Sequence, residues 1–265
     1  VPLQGELGEA LHATIAVALE RARLAEAAEE ARLILETERT RTDLLSAVSH
    51  DLRTPLAAIT GAITAVLDRP DARPEPLLYT VRDESERLGR LISGLLDLTR
   101  LEANPAPEME WVPIDEVVAS AIDRVKLQLR PAEIRTVLPR AVVMVPMAPV
   151  LVDQLLFNLI DNAVKYAPDG PIDVIASHEG GIRVEVHDRG RGLPREGGAH
   201  LFERFWRAAD GGRTDSAGLG LAIAAAIARV HGGTVFARPR DGGGAVFGFT
   251  LPIHGEPPTL PEEPE

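Results

Sequence analysis

No cysteine occurs among the 265 residues of the chain. That absence excludes disulfides, thiolate zinc sites and cysteine nucleophiles, and it leaves the redox compartment open. Basic residues are in deficit, with 28 Lys and Arg against 40 Asp and Glu and a formal net charge of −12. Such a balance argues against general affinity for nucleic acid or for an anionic membrane surface. No apolar run approaches the roughly 18 residues of a membrane span. The longest candidate, AVVMVPMAPVLV at 141–152, is short and broken by Pro146 and Pro149. The first residue is Val1, no secretory signal is visible in the sequence, and the chain reads as a soluble fragment of a longer protein. No internal repeat is visible. What is present suffices for a core: 45 % of the residues are apolar, and the length suits one or two domains.

Organisation follows from composition. Residues 5–68 hold no proline until Pro55 and are rich in Ala, Glu, Arg and Leu, as in a long helix or coiled coil. Ala and Leu recur at three- and four-residue steps over 16–35, while Glu38 and Thr42 interrupt a clean heptad. RPDARPEP at 69–76 ends this helix. A second is expected from Leu77 to Glu102, with the stripe Leu77, Val81, Leu88, Leu91, Ile92, Leu95 and Leu98. Two such helices cannot bury both stripes alone, but two hairpins can, as a dimeric four-helix bundle. A homodimer through 40–102 is therefore expected.

ANPAPEMEWVP at 103–113 reads as a linker. Beyond it the pattern turns to mixed α and β. Helices are expected at 114–129, 149–166 and 218–233. Strands are expected near 134–138 and 142–145, at 171–177 and 182–188, and as a closing hairpin of 234–239 and 245–251. A polar, Gly-rich stretch of unusual length covers 189–217, and loops of that length often carry function. The tail GEPPTLPEEPE has a composition that favours disorder. The expected domains are a helical stem at 1–39, a dimerisation domain at 40–103, a linker at 104–113, an α/β domain at 114–254 and a tail at 255–265.

Four short motifs carry chemistry. In SHDLRTPL at 49–56, His50 falls about 140° and Thr54 about 180° from the stripe of Leu45, Val48, Leu52, Leu56, Ile59 and Ile63. The imidazole should project into solvent. Asp51 could accept a hydrogen bond from one ring nitrogen and leave the other nucleophilic. The plain alternative is a solvated surface histidine. In NLIDNAVKY at 158–166, Asn158, Asn162 and Lys165 share one helical face. Two amides and an ammonium suit an anionic ligand with Mg²⁺, although an ordinary polar helix face would look similar. In DRGRGLP at 188–194, Asp188 ends a strand, and Gly190 and Gly192 permit close approach of a planar ligand. A routine strand exit has the same residues. GLGL at 218–221 opens a helix whose N-terminal amides can receive phosphate. Neither a P-loop nor a dinucleotide-binding glycine fingerprint is present.

Together and in this order, these motifs resemble the sensor histidine kinases of two-component signalling. SHDLRTPL resembles the phospho-acceptor H box, NLIDNAVKY the N box, DRGRGLP the G1 box, LFERFWR at 201–207 the F box and GLGL the G2 box. LERARLAE at 19–26, DLTRLEA at 97–103 and the region of Trp111 look most like the potassium-sensing Kdp-type members. The resemblance covers about 40–252. TDSAGLGL departs from it by lacking the extra glycine that many members carry before the G2 box.

The resemblance implies an antiparallel helical hairpin forming a dimeric four-helix bundle, followed by an α/β sandwich of the Bergerat ATPase type. It implies that His50 accepts the γ-phosphoryl group of ATP while Asp51 orients or deprotonates it. Asn162 would bind Mg²⁺, Asn158 would support the metal or phosphates, and Lys165 and Tyr166 would contact phosphate or ribose. Asp188 would read adenine in a pocket shaped by Gly190 and Gly192. Gly218, Gly220 and Leu221 would host the phosphates. Phe202 and Phe205 would anchor a lid, with Arg207 as a further phosphate contact. The implied partner is the receiver domain of a response regulator. Asp51 and Thr54 fit the D-x-x-T arrangement in which the threonine positions a dephosphorylating water. The implied location is cytoplasmic, with membrane anchoring left to the parent chain. Two other readings stay open at this point: a mechanical ATPase of the gyrase and chaperone type, and a dimeric scaffold with a degenerate kinase domain.

Overall fold

The computed structural model describes residues 20, 21, 23, 32, 52–68, 75–103, 107–129, 132–167, 170–194, 198–206 and 218–258. The chain divides into two compact units, 1–54 and 55–265. In the first unit every described residue is helical, and Thr54 is exposed. Apart from residues 20, 21, 23 and 32, the heptad region lies outside the described residues, as do His50 and Asp51.

The second unit opens with helix α1 (55–68) and helix α2 (Glu75–Ala103). Strand β1 (Glu110–Pro113) and helix α3 (Ile114–Gln128) follow. Then come β2 (Ile134–Val137), β3 (Met144–Met147), α4 (Pro149–Tyr166), β4 (Ile172–His178) and β5 (Gly181–His187). A 3₁₀ turn (Ala199–Phe202), α5 (Gly220–Val230), β6 (Thr234–Pro239) and β7 (Ala245–Pro252) complete the unit.

Five strands form one sheet in the order β2-β4-β5-β7-β6. Only β2 and β4 run parallel in it; the remaining pairs are antiparallel. Alternation decides which face is covered. Ile172, Val174 and Ala176 of β4 and Ile182, Val184 and Val186 of β5 are buried on one side. Helices α4 and α5 lie on that side, with α3 packed against α4. Helix α4 starts at Pro149, whose missing N–H would be unpaired there anyway. It buries Val152, Leu155, Leu156, Leu159, Ile160, Ala163 and Val164, a spacing that holds one apolar face toward the sheet. This is the expected two-layer α/β sandwich.

Three sequence expectations need correction. Residues 110–113, read as the end of a linker, form β1, which pairs antiparallel with β3 as a separate two-stranded sheet. Prolines at 113 and 146 weakened the strand signal, yet both sit in a two-stranded ribbon, where a missing N–H is tolerated. The partner strand accordingly lies at 144–147, two residues later than expected. In the apolar stripe expected on α2, Leu91 and Leu98 are buried and Leu77, Val81, Leu88 and Leu95 half-buried, but Ile92 is exposed, as are Leu78, Tyr79 and Leu96 outside the stripe. Of the tail, 253–258 is irregular, with Gly255 against the Trp111 ring, and 259–265 lies outside the described residues.

Candidate nucleotide-binding site

One polar row of α4 faces away from the sheet, and it forms the floor of a cavity of about 630 Å³. Asn158, Asn162, Lys165 and Tyr166 line this floor, as their shared helical face predicts. Gly218, Gly220 and Leu221 supply another wall from the start of α5. A Cβ added to Gly220 would lie 3.7 Å from Asn158 Oδ1, so the two motifs are in direct contact. Gly218 has φ +68, a conformation that costs other residues more than glycine, and it turns the chain into α5. The N-cap residue of that helix, Leu219, makes no side-chain capping bond, and a helix start of this kind can receive an anion on its first N–H groups.

The electrostatics of the floor are specific. Lys165 pairs with Asp161 one turn back, and both reach the cavity. The Asn158 Nδ2 group is buried and finds no hydrogen-bond partner among the described residues. A buried donor left unpaired costs about 1–3 kcal/mol, a cost that an acceptor oxygen placed in the cavity would offset.

Asp188 stands apart from these walls. It is 3 % exposed, and its Oδ1 accepts from the N–H groups of Gly190 at 2.8 Å and Ala245 at 3.1 Å. Two backbone donors thus fix the carboxylate plane and leave Oδ2 as the acceptor toward a ligand. Gly190 is required by space: a Cβ there would lie 2.3 Å from the Tyr166 carbonyl oxygen. That contact seats the Asp188 turn on the C-terminal end of α4. Gly192 follows at φ +80, beside the Gly244 carbonyl. Neither Asp188 nor these two glycines lines the cavity of Asn158 and Lys165.

Phe202 packs edge-on against Phe247, with ring centroids 6.5 Å apart. Phe205 adopts φ 60, and its N–H donates to the Gly218 carbonyl at 3.2 Å. The chain therefore enters and leaves 207–217 at neighbouring points. Arg207 lies outside the described residues, as do His50 and Asp51. Thr54 belongs to the other compact unit.

Several wall residues escaped sequence reasoning. Arg87, Arg90, Gly94 and Asp97 of α2 line the same cavity. They recur at i, i+3, i+7 and i+10, one helical face, and that spacing was the available signal. Helix α2 reaches the site because Gly94 lets it approach α5; a Cβ there would lie 3.3 Å from Ile223 and 3.4 Å from Leu219. Gln154 on α4 donates to Asp97 at 2.8 Å and fixes the register. Arg124 of α3 closes another side, held by Asp153 at 2.8 Å and by the Phe157 ring.

Comparison with known proteins gives two family matches. Residues 40–104 match the His Kinase A (phospho-acceptor) domain, and residues 147–255 match the histidine kinase-, DNA gyrase B- and HSP90-like ATPase. The sensor protein KdpD of Escherichia coli is 37 % identical over 266 residues, covering 97 % of this chain and 29 % of that protein. The chain thus spans less than a third of the KdpD proteins it matches. Among solved structures, the Acinetobacter baumannii histidine kinase AdeS matches with TM-score 0.64 and 24 % identity, covering 78 % of this chain and 98 % of that one. Full-length ShkA, solved in complex with AMPPNP, matches with TM-score 0.58 and 26 % identity, covering 82 % of this chain and 47 % of that one.

Proposed function

The chain belongs to the sensor histidine kinases, and from that premise we propose that it transfers the γ-phosphoryl group of ATP to His50 and then to an aspartate of a response-regulator receiver domain. The observation that carries the reading is the Asn158 donor, buried and unpaired beside Lys165 and the uncapped start of α5. All three features favour phosphate oxygens. Asp188, with Oδ1 fixed by backbone, is an acceptor suited to the exocyclic amine of adenine. The AMPPNP complex of ShkA supports an ATP-type ligand for this fold.

Phosphoryl transfer asks mainly for alignment and charge neutralisation. A ring nitrogen of His50 attacks the γ-phosphorus, the bond from that phosphorus to the β–γ bridging oxygen breaks, and ADP leaves. Asp51 holds or takes the imidazole proton. The receiver carboxylate then attacks the phosphohistidine phosphorus and regenerates neutral His50. Lys165 and the α5 amides neutralise the charge that builds on the phosphates.

Mg²⁺ fits this donor set. Among the described residues no group of three or more His, Asp or Glu could form a protein cage. Mg²⁺ needs only one or two protein oxygens besides phosphates and waters, and Asn162 lines the cavity next to Asp161. When bound, it supplies charge neutralisation on the β- and γ-phosphate oxygens. Thr54, exposed on its helix, is the candidate for positioning water in regulator dephosphorylation; Thr54→Ala should abolish that activity and spare autophosphorylation. The apolar residues exposed on α1 and α2 support a homodimer through the hairpin.

We assign a stem to 1–39, the phospho-acceptor domain to 40–103, the ATPase domain to 114–254 and a tail to 255–265; the 104–113 linker ends in β1. No described helix is long and apolar enough to cross a membrane. ATP and receiver domains are cytoplasmic reactants, so we assign this part to the cytoplasm.

The test is incubation with γ-labelled ATP and Mg²⁺. Wild type should acquire label that is lost in acid and retained in base, and His50→Gln should acquire none. Equal labelling of the two proteins would refute the assignment.

A further inference from the structure

Four cations line the cavity, Arg87, Arg90, Arg124 and Lys165, against two carboxylates, Asp97 and Asp161. That local excess contrasts with the chain's net charge of −12. Three of the four are otherwise engaged or solvated. Lys165 is paired with Asp161, Arg124 is held by Asp153 and Phe157, and the Arg90 side chain is 57 % exposed. Arg87 differs. Its side chain is only 15 % exposed, its one ion pair, to Glu84, is long at 3.4 Å, and its Nε is buried without a partner among the described residues.

Arg87 Nε and Asn158 Nδ2 are thus two buried donors without a partner among the described residues, both of residues that line one cavity, and they come from two different helices, α2 and α4. Water-excluded donors from two helices on one cavity can be satisfied together by a ligand rich in acceptor oxygens. A guanidinium offers five donors in a fixed fork that matches phosphate. The backbone holds Arg87 at the cavity, because Gly94 and Asp97 on the same face of α2 dock on α5 and α4.

We propose that Arg87 is a nucleotide-phosphate ligand, contributed to the ATPase pocket by the second helix of the phospho-acceptor hairpin in the same chain. This rests on the reading of the cavity as an ATP site and adds to it a residue outside the ATPase domain. ATP bound there would be held by both domains, so nucleotide affinity would report whether α2 is docked. The α5 amides and Lys165 then neutralise one side of the polyphosphate and Arg87 the other.

Calorimetric titration of the full chain with MgATP and with adenosine tests this. Arg87→Ala should weaken MgATP by about tenfold or more, as expected for a lost hydrogen bond to a charged group, and leave adenosine unchanged. Arg87→Lys should restore part of the loss. Glu84→Gln, which removes the only described ion-pair partner of Arg87, should not weaken MgATP. The inference is overturned if Arg87→Ala binds MgATP as wild type does. It is equally overturned if adenosine weakens in parallel, or if Glu84→Gln reproduces the loss, because either result makes Arg87 a packing residue. Failure of wild type to bind MgATP at all would instead defeat the ATP-site reading itself.

Discussion

His231 has both ring nitrogens committed. Its Nε2 accepts from the Ala148 N–H at 3.0 Å, and its Nδ1–H donates to the Ile227 carbonyl at 2.7 Å. Ala148 is the residue before α4, which has no side-chain cap of its own, so a histidine from the far end of α5 serves as its acceptor. Burial lowers the His231 pKa below its usual value, with the Ile227 carbonyl pulling weakly the other way. The folded state therefore binds fewer protons at this site than the unfolded chain. Stability from His231 is complete above the ordinary histidine pKa near 6.5 and declines as pH falls below it. Urea unfolding at pH 7.5 and 5.5 should show wild type losing stability on acidification and His231→Gln losing less. Equal losses in both proteins would contradict this account. Nothing in the sequence marks His231, because its partners are 83 residues away and within its own helix. The Asp188 contacts were half legible: DRG announces a turn, but the donor from Ala245 comes through a hairpin 57 residues on.

At the scale of elements, long periodic segments were read closely. Helices α3 and α4 end within a residue of expectation, because each buries one apolar face, α3 against α4 and α4 also against the sheet. Strands β4 and β5 shift by a single residue each. The misreadings cluster where one element serves two neighbours or where proline masks a pairing, as on α2 and in the β1–β3 ribbon. Helix α2 gives a prediction of its own. Its approach to α5 depends on Gly94, and a leucine there would overpack Leu219 and Ile223, at about 1–3 kcal/mol. In Gly94→Leu, hydrogen exchange should accelerate at the start of α5 and along the docked face of α2, while β5 keeps its protection. Unchanged exchange at both helices would mean that the glycine is not needed for the contact.

The whole molecule carries apolar surface that one chain leaves uncovered. Leu56, Ile63 and Leu67 on α1 are exposed by 56, 44 and 74 %. Leu78, Tyr79, Ile92 and Leu96 are exposed on α2. Such a set along a hairpin is what a second copy would bury. Sedimentation equilibrium should find a dimer at micromolar concentration, and Ile63→Glu with Ile92→Glu should yield a monomer with the α/β unit intact. A monomeric wild type would remove the dimer. The architecture of the molecule was legible because two periodicities, helical before 103 and mixed after 114, are separated by prolines. The shared cavity was not, because contacts such as those of Gly94 with α5 and of Asp97 with Gln154 join residues that no local pattern connects.

On the proposed function, ATP spans two parts of one site, with its adenine on Asp188 and its phosphates in the cavity of Asn158, Lys165 and Gly218–Gly220. A crystal structure of the full chain with a non-hydrolysable ATP analogue and Mg²⁺ measures this directly. The expected result is the adenine amine on Asp188 Oδ2 and phosphate oxygens within hydrogen-bond reach of Asn158 Nδ2. An analogue bound elsewhere, or bound here in the reverse sense with adenine over Lys165, would contradict it.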